Sequence, residues 1–141
     1  MKRLFALMVS LLFAADVTAQ VCRIEAGAIA LGVYDPAQPK PRVARGDVAV
    51  VCRSVAAESR LSVRVSLPGA AVRELQGRGA VLRYSLFQDS AFARSWYGAA
   101  AIVALDPASG ETRIPIYARI APGQWVAPGG YADQVELVVE F

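Results

Sequence analysis

The last eleven residues place the strongest constraint on the fold of this chain. From Tyr131 to Phe141 the side chains of Val135, Leu137, Val139 and Phe141 alternate with two glutamates and a valine. A strict period of two over this length predicts a β-strand with one face on a hydrophobic core. Because the sequence ends with this strand, we expect its apolar face to be covered either by the protein's own sheet or by another chain.

The rest of the sequence also favours strands over helices. Six further strands, separated by turns rich in glycine and proline, are predicted at Val21–Ala26 (opening into Ala28–Tyr34), Asp47–Arg53, Arg60–Leu67, Ala80–Phe87, Ala99–Leu105 and Thr112–Ile120. Residues 47–53 are apolar on both faces, which predicts a central strand. The proline-rich loop 37–45 is expected to cross from one sheet to the other.

Turn residues at 106–110 predict that the last two of these strands form a hairpin. Pro115 would place the second arm of that hairpin at a sheet edge or a bulge. Short strands at this regular spacing predict an all-β fold, an antiparallel immunoglobulin-like sandwich. A barrel is the alternative.

The first nineteen residues predict a signal peptide. Lys2 and Arg3 precede an apolar run over Leu4–Ala15, and residues 17–19 offer the small-x-small pattern of a cleavage site. The run is too short to span a bilayer, and an uncleaved signal anchor is the alternative. We therefore expect an exported chain with a single domain over residues 20–141.

The sequence contains two cysteines, Cys22 and Cys52. In an exported chain, two cysteines most simply form one disulfide. Closing a loop of about thirty residues would stabilise the fold by roughly 3–4 kcal/mol. Free thiols acting as metal ligands or as a nucleophile are the alternative, but the sequence has no histidine and no CxxC motif.

No pattern in the sequence is typical of catalysis, and we predict no enzyme activity, cofactor or metal. Most aspartates adjoin glycine or proline or end a predicted strand, where Asp is usually a turn or cap residue; they are Asp35, Asp47, Asp89, Asp106 and Asp133. A glycosidase using two of them is a remote alternative. The scattered arginines favour a solvated surface over nucleic-acid binding. The aromatic residues, with Trp96 and Trp125 among them, favour core packing over a stacking platform for sugars.

Several motifs together resemble the spore coat protein U domain family, which includes the pilins of archaic chaperone-usher fimbriae. In chain order they are Gly32-Val33-Tyr34-Asp35-Pro36, Gly46-x-Val48-x-Val50-x-Cys52, Arg73-x-Leu75, Leu82-x-Tyr84-x-Leu86-x-x-Asp89, Trp96, Tyr117-x-Arg119-Ile120-x-x-Gly123-Gln124 and Gly130-Tyr131-x-Asp133-x-Val135. The resemblance spans nearly all of residues 20–141. One departure is Trp96-Tyr97-Gly98, where the family tends to have Trp-Gly directly.

The resemblance implies a sandwich that lacks its final strand, so that an apolar groove stays open beside the C-terminal strand. A periplasmic chaperone would fill the groove with one of its own strands, and at the outer-membrane usher the N-terminal extension of another pilin subunit would replace it. Val135, Leu137, Val139 and Phe141 are the candidates for the groove edge and the chaperone contact, with the Phe141 carboxylate anchored in a basic cleft of the chaperone. Ordinary core packing is the alternative role for these side chains.

We therefore expect a structural subunit of a pilus or surface coat, exported through the periplasm to the cell surface. A donor strand needs about ten alternating residues, whereas cleavage after Ala19 leaves only Gln20 and Val21 before the first cysteine, and cleavage after Ala14 leaves seven residues. The subunit is thus predicted to accept a strand without donating one. A self-contained exported sandwich that binds a partner or a carbohydrate is the alternative, and a carbohydrate-active enzyme is a more remote one.

Overall fold

The structure, a computed structural model, describes residues 21–53, 62–106 and 109–141. The predicted signal peptide, the start of the strand predicted from Arg60, and residues 107–108 of the predicted turn lie outside this part of the chain. The strands in it are β1 (Val21–Ala26), β2 (Arg42–Arg53), β3 (Ser62–Ser66), β4 (Arg73–Gln76), β5 (Val81–Phe87), β6 (Ala101–Ala104), β7 (Glu111–Ile120) and β8 (Val138–Glu140). Among these residues, no helix is long and apolar enough to cross a membrane.

The strands form two antiparallel sheets that enclose one core. The larger sheet has the order β1-β2-β7-β5-β4 and the smaller one the order β6-β3-β8. Alternate residues of each strand face the core because successive side chains point to opposite sides of a sheet. Among the buried residues are Val63 and Val65 on β3, Leu82, Tyr84 and Leu86 on β5, and Ile114, Ile116, Ala118 and Ile120 on β7. The prediction of an antiparallel immunoglobulin-like sandwich is confirmed.

Strand β2 is central, as its two apolar faces predict. It pairs with β1 on one side and with β7 on the other. Cys22 on β1 lies directly opposite Cys52 on β2, and the two sulfur atoms form a disulfide with an S–S distance of 2.10 Å. The expected disulfide is therefore present, and it ties the edge strand of the larger sheet to its neighbour.

The predicted hairpin over residues 99–120 is wrong. Strand β6 pairs with β3 in the smaller sheet, whereas β7 lies between β2 and β5 in the larger one. The turn between them therefore changes sheets. The prediction that loop 37–45 crosses between sheets is wrong, because β1 and β2 belong to the same sheet and residues 42–45 are the start of β2. A period of two shows which face of a strand is buried, but the same pattern fits either sheet of a sandwich.

Pro115 lies inside β7, a strand with neighbours on both sides. The ladder between β5 and β7 stops at Tyr117, so Pro115 is in the part of β7 that pairs with β2 alone. This position behaves as a local sheet edge, where a residue that lacks an N–H group is tolerated.

The C-terminal strand is shorter than its sequence pattern predicts. Strand β8 covers three residues, with Val139 opposite Val65 of β3. Residues 133–137 belong to no strand, and Ala132 makes an isolated bridge with Gln76 of β4, itself a strand that the sequence analysis missed. The apolar alternation thus extends past the residues that have a partner strand.

Candidate functional site: an apolar groove between two unpaired segments

A groove with a volume of about 510 Å³ opens between two segments of the chain, residues 26–32 after β1 and residues 131–137 before β8. We call these the N-terminal wall and the C-terminal wall. Residues 27–33 and 133–137 lie in no strand, and they make no backbone-to-backbone hydrogen bond within the part of the chain that the structure describes. Unpaired backbone groups along an extended segment are the template on which an added strand forms its ladder.

The floor of the groove is the hydrophobic core itself. It is formed by buried side chains from four strands of the larger sheet, Val48, Leu75, Tyr84, Leu86, Ile116 and Ala118. The sandwich is therefore open on this side. An occupant that places apolar side chains into the groove would bury its own apolar surface against this floor.

The structure places the four predicted groove residues in different surroundings. Val135, which is 38% exposed, and Leu137 both line the groove. Val139 packs against the core from β8 without lining the groove. Phe141 is 69% exposed and lies outside the groove lining. Contact of any of the four with a chaperone remains a prediction.

The N-terminal wall was missed by the sequence analysis, which treated Ala28–Tyr34 as a continuation of the first strand. Ile29 and Leu31 pack against the core, while the residues at positions 28, 30 and 32 are exposed. Gly46 of β2 lies directly beneath Ile29, so close that a Cβ at position 46 would overlap Ile29 Cγ1. The sequence signal for this wall is a run of alanine and glycine in which Ile29 and Leu31 are the two large side chains.

Two hydrogen-bonded contacts fix the far end of the N-terminal wall. The Tyr34 hydroxyl donates to the Ala121 carbonyl and accepts from the Gln124 N–H, both at 2.9 Å. Arg42 Nε donates to the Leu31 carbonyl at 2.7 Å. Tyr34 and Gln124 belong to two motifs on which the family resemblance was based, and the fold joins them across about ninety residues.

A polar cluster of three side chains holds the C-terminal wall. The Asp133 carboxylate accepts hydrogen bonds from the Tyr84 hydroxyl at 2.6 Å and from Arg73 Nε at 3.1 Å. Arg73 also donates to the Gln134 carbonyl at 3.2 Å. The side chains of Arg73 and Asp133 are only 16% and 20% exposed. Asp133 is therefore more than the turn residue that the sequence suggested, because it binds the wall to β4 and β5.

Burial and hydrogen bonding shift the pKa of all three groups in this cluster. Burial alone would raise the pKa of Asp133, but the hydrogen bonds from Tyr84 and Arg73 and the guanidinium charge outweigh it and hold the pKa below its ordinary value. Burial, and then the hydrogen bond to Asp133, raises the pKa of Tyr84 to about 12. Burial would lower the pKa of Arg73, yet its contacts with Tyr84 and Asp133 raise it on balance.

Asp35 and Asp89 have the turn roles that the sequence predicts. Asp35 Oδ1 accepts from the Ala37 N–H at 2.9 Å, and Asp89 Oδ1 accepts from the Arg94 N–H at 2.9 Å. No group of three or more His, Cys, Asp or Glu residues that could hold a metal ion occurs within residues 21–53, 62–106 and 109–141. Core packing is confirmed for Trp96, which is 2% exposed, and is wrong for Trp125, which is 77% exposed.

Comparisons with known proteins agree with this architecture. Residues 8–138 match the family model for the Spore Coat Protein U domain. A chain of the CsuC–CsuE chaperone–tip adhesion subunit pre-assembly complex, from the archaic chaperone-usher Csu pili of Acinetobacter baumannii, has a similar fold, with a TM-score of 0.59 and 20% sequence identity. The similarity covers 87% of this chain and 40% of that one. Among curated proteins, none matches this sequence.

Proposed function

The chain belongs to the Spore Coat Protein U domain family, and on that premise we propose that it is a structural subunit, without enzyme activity, of a chaperone-usher type pilus or surface coat. It is assembled by donor-strand complementation. The observation that carries this proposal is the groove. Its walls include two segments, residues 27–33 and 133–137, that make no backbone-to-backbone hydrogen bond with any residue the structure describes, and its floor is formed by core side chains.

The geometry of the walls suits an added β-strand. An extended strand between them would bond its backbone to residues 27–33 on one side and to residues 133–137 on the other. Its alternate side chains would point to the floor, because successive residues of a strand face opposite sides. Main-chain hydrogen bonds then supply affinity, and the side-chain pockets, edged by Val135 and Leu137, supply specificity.

The partners of this function are a periplasmic chaperone, an outer-membrane usher and other pilin subunits. The similar fold found in a complex of a chaperone with a pilus subunit supports a chaperone and pilins as partners. The chain passes through the periplasm and is displayed at the cell surface. The outer-membrane usher is inferred as a partner from the proposed assembly route alone.

The test is to purify the tagged full chain from the periplasm of its native host and to identify co-purifying proteins by mass spectrometry. We expect a stoichiometric chaperone of immunoglobulin-like build with the wild type. The variants Val135→Asp and Leu137→Asp place a charge at the groove edge and should lose it. Ile102→Asp is the matched control, because Ile102 is 67% exposed on β6 and does not line the groove.

Recovery of the wild-type chain from the periplasm without a co-purifying chaperone would contradict the proposal, as would a chaperone that binds all three variants equally. The first result would favour a sandwich whose groove is closed by its own chain. The second would place the chaperone contact elsewhere on the surface.

A further inference from the structure

A second concavity lies on the outer face of the larger sheet, away from the groove. It is a trough of about 480 Å³ lined by Val72, Arg83, Ser85, Phe87, Arg119 and Gln124, among others. Arg83, Ser85 and Phe87 face outwards because the residues that alternate with them on β5 are buried. We call this concavity the outer trough.

Two arginines, Arg83 and Arg119, line the outer trough, and Glu74 of β4 lies directly opposite Arg83 without forming an ion pair with it. Arg119 of β7 lies opposite Ser85 of β5, so Arg83, two residues away on the same face, is its diagonal neighbour; the Cα atoms of such neighbours are about 7–8 Å apart in a regular sheet. Neither forms an ion pair with any residue that the structure describes. Neighbouring like charges repel, and an anion between two guanidinium groups would relieve that repulsion.

Two other arginines on the same face of this sheet form ion pairs, in contrast to Arg83 and Arg119. Arg45 Nη2 lies 3.1 Å from Asp47, and Arg113 Nη2 lies 2.7 Å from Glu111. The outer face is therefore not uniformly cationic. Its unpaired positive charge at β5 and β7 is concentrated in the trough.

An aromatic pair, Phe87 and Phe92, lies at the outer trough, and Phe87 is the member that lines it. Phe87 stacks edge-to-face on Phe92 with ring centroids 5.3 Å apart, and the Arg119 guanidinium lies 5.6 Å from the Phe92 centroid. Phe92 adopts φ = 55°, a left-handed conformation that a bulky residue rarely takes. Such strained residues concentrate at binding and catalytic sites.

The backbone beside the outer trough is already occupied. The Gln124 side-chain amide accepts from the Arg83 N–H and donates to the Arg83 carbonyl, both at 2.8 Å. An extended peptide therefore finds no free strand edge at this position. The trough instead offers two guanidinium groups and an apolar ring, which together match a ligand with a carboxylate on one edge and a C–H face on the other.

We propose that the outer trough binds a carboxylate-bearing sugar, such as a uronate unit of an acidic polysaccharide. The carboxylate lies between Arg83 and Arg119, where guanidinium groups can each donate two hydrogen bonds. The C–H face of the sugar ring packs on Phe87. This inference is independent of strand exchange, because none of these three residues lines the groove.

The test is to measure binding of the full chain to polygalacturonate by isothermal titration calorimetry. We expect Arg83→Gln and Arg119→Gln each to weaken binding by about tenfold or more, as loss of charge-assisted hydrogen bonds requires. Arg113→Gln is the matched control, since it removes the same charge from the same face outside the trough, and it should leave affinity within about twofold. Neutral dextran should not bind.

Three results would overturn the proposal. The first is no binding of polygalacturonate by the wild type. The second is an equal loss with Arg113→Gln, which would reduce the effect to general charge attraction. The third is equally tight binding of poly-glutamate, which carries carboxylates without a sugar ring. An unchanged urea midpoint for each variant shows that a loss of binding is not a loss of folding.

Discussion

Asp133 links the C-terminal wall of the groove to the larger sheet. Its carboxylate receives one donor from β5 and one from β4, and the residue itself lies in the C-terminal wall. Removal of the carboxylate would leave the Arg73 guanidinium and the Tyr84 hydroxyl without their shared acceptor in a largely buried site. Groups deprived of a partner in this way cost more free energy than the lost hydrogen bond alone.

We therefore expect Asp133→Asn to lower the free energy of unfolding by about 1–3 kcal/mol at pH 7, measured by urea denaturation. Glu140→Gln is the control, because the Glu140–Arg64 ion pair spans 3.7 Å between side chains that are 64% and 61% exposed. Exposed pairs of this kind contribute little. Equal effects of the two substitutions would mean that the cluster has no special role.

The lowered pKa of Asp133 predicts how this contribution depends on pH. A carboxylate with a lowered pKa in the folded state stabilises the fold fully above the unfolded pKa of about 3.9, and the contribution disappears as the pH falls through the lower folded value. The difference in unfolding free energy between wild type and Asp133→Asn should therefore shrink below about pH 4. A difference that stays constant from pH 7 to pH 2 would show that the carboxylate charge is not responsible.

The raised pKa of Tyr84 predicts the opposite pH dependence of the unfolding free energy, at alkaline pH. Since its pKa is raised to about 12 in the folded protein, the neutral hydroxyl is favoured by folding, and its contribution is full below about pH 10 and lost as the pH rises through about 12. The stability difference between wild type and Tyr84→Phe should fall over this interval in denaturant titrations. A difference that grows there would reverse the assigned sign.

At the scale of elements, the N-terminal wall depends on a glycine in the strand beneath it. Because a Cβ at position 46 would overlap Ile29, Gly46→Ala should displace the wall and cost about 1–3 kcal/mol of unfolding free energy. Gly27→Ala is the matched control, since nothing lies within 4 Å of a Cβ there. If Ile29→Ala restores stability in the Gly46→Ala background, the overlap is the cause. Equal stabilities of Gly46→Ala and Gly27→Ala would contradict it.

Strand positions with clean alternation were predictable, because one buried face imposes a period of two. Residues of β3 and β5 show this pattern most clearly. The partner of each strand was not predictable, since either sheet of a sandwich can bury the same face. The predicted hairpin failed for this reason, and β4, with only four residues, carried too little pattern to be found.

The candidate site was predictable only in part. The sequence identified Val135 and Leu137 in the C-terminal wall, because their alternation extends beyond the paired residues of β8. It did not identify the cluster that holds this wall, although Arg73, Tyr84 and Asp133 all lie in the motifs on which the resemblance rested. Its hydrogen bonds join residues 49 and 60 positions apart, and local patterns contain no information about such contacts.

At the scale of the whole molecule, the disulfide compensates for a sandwich that is open on one side. Cys22 and Cys52 are 30 positions apart, and closing a loop of that size contributes roughly 3–4 kcal/mol. The double variant Cys22→Ser and Cys52→Ser should lose about this much in urea denaturation. Stability unchanged from wild type would show that the other contacts of β1 and β2 are sufficient.

The open groove predicts that stability depends on a partner. Domains are stable by only about 5–15 kcal/mol, so a groove that lacks a covering strand leaves little margin. An added strand would cover the groove floor and pair with residues 27–33 and 133–137. Binding and full stability are therefore expected to be gained together.

The most direct test of strand acceptance is hydrogen–deuterium exchange on the full chain, alone and in the complex formed during periplasmic expression. We predict that amides of residues 27–33 and 133–137 exchange rapidly in the free chain and slow together in the complex, while the loop 122–130 is unchanged. Walls that are already protected in the free chain would contradict strand acceptance, because the groove would then be closed by the chain itself. Walls that stay unprotected in the complex would also contradict it, because the partner would then bind elsewhere.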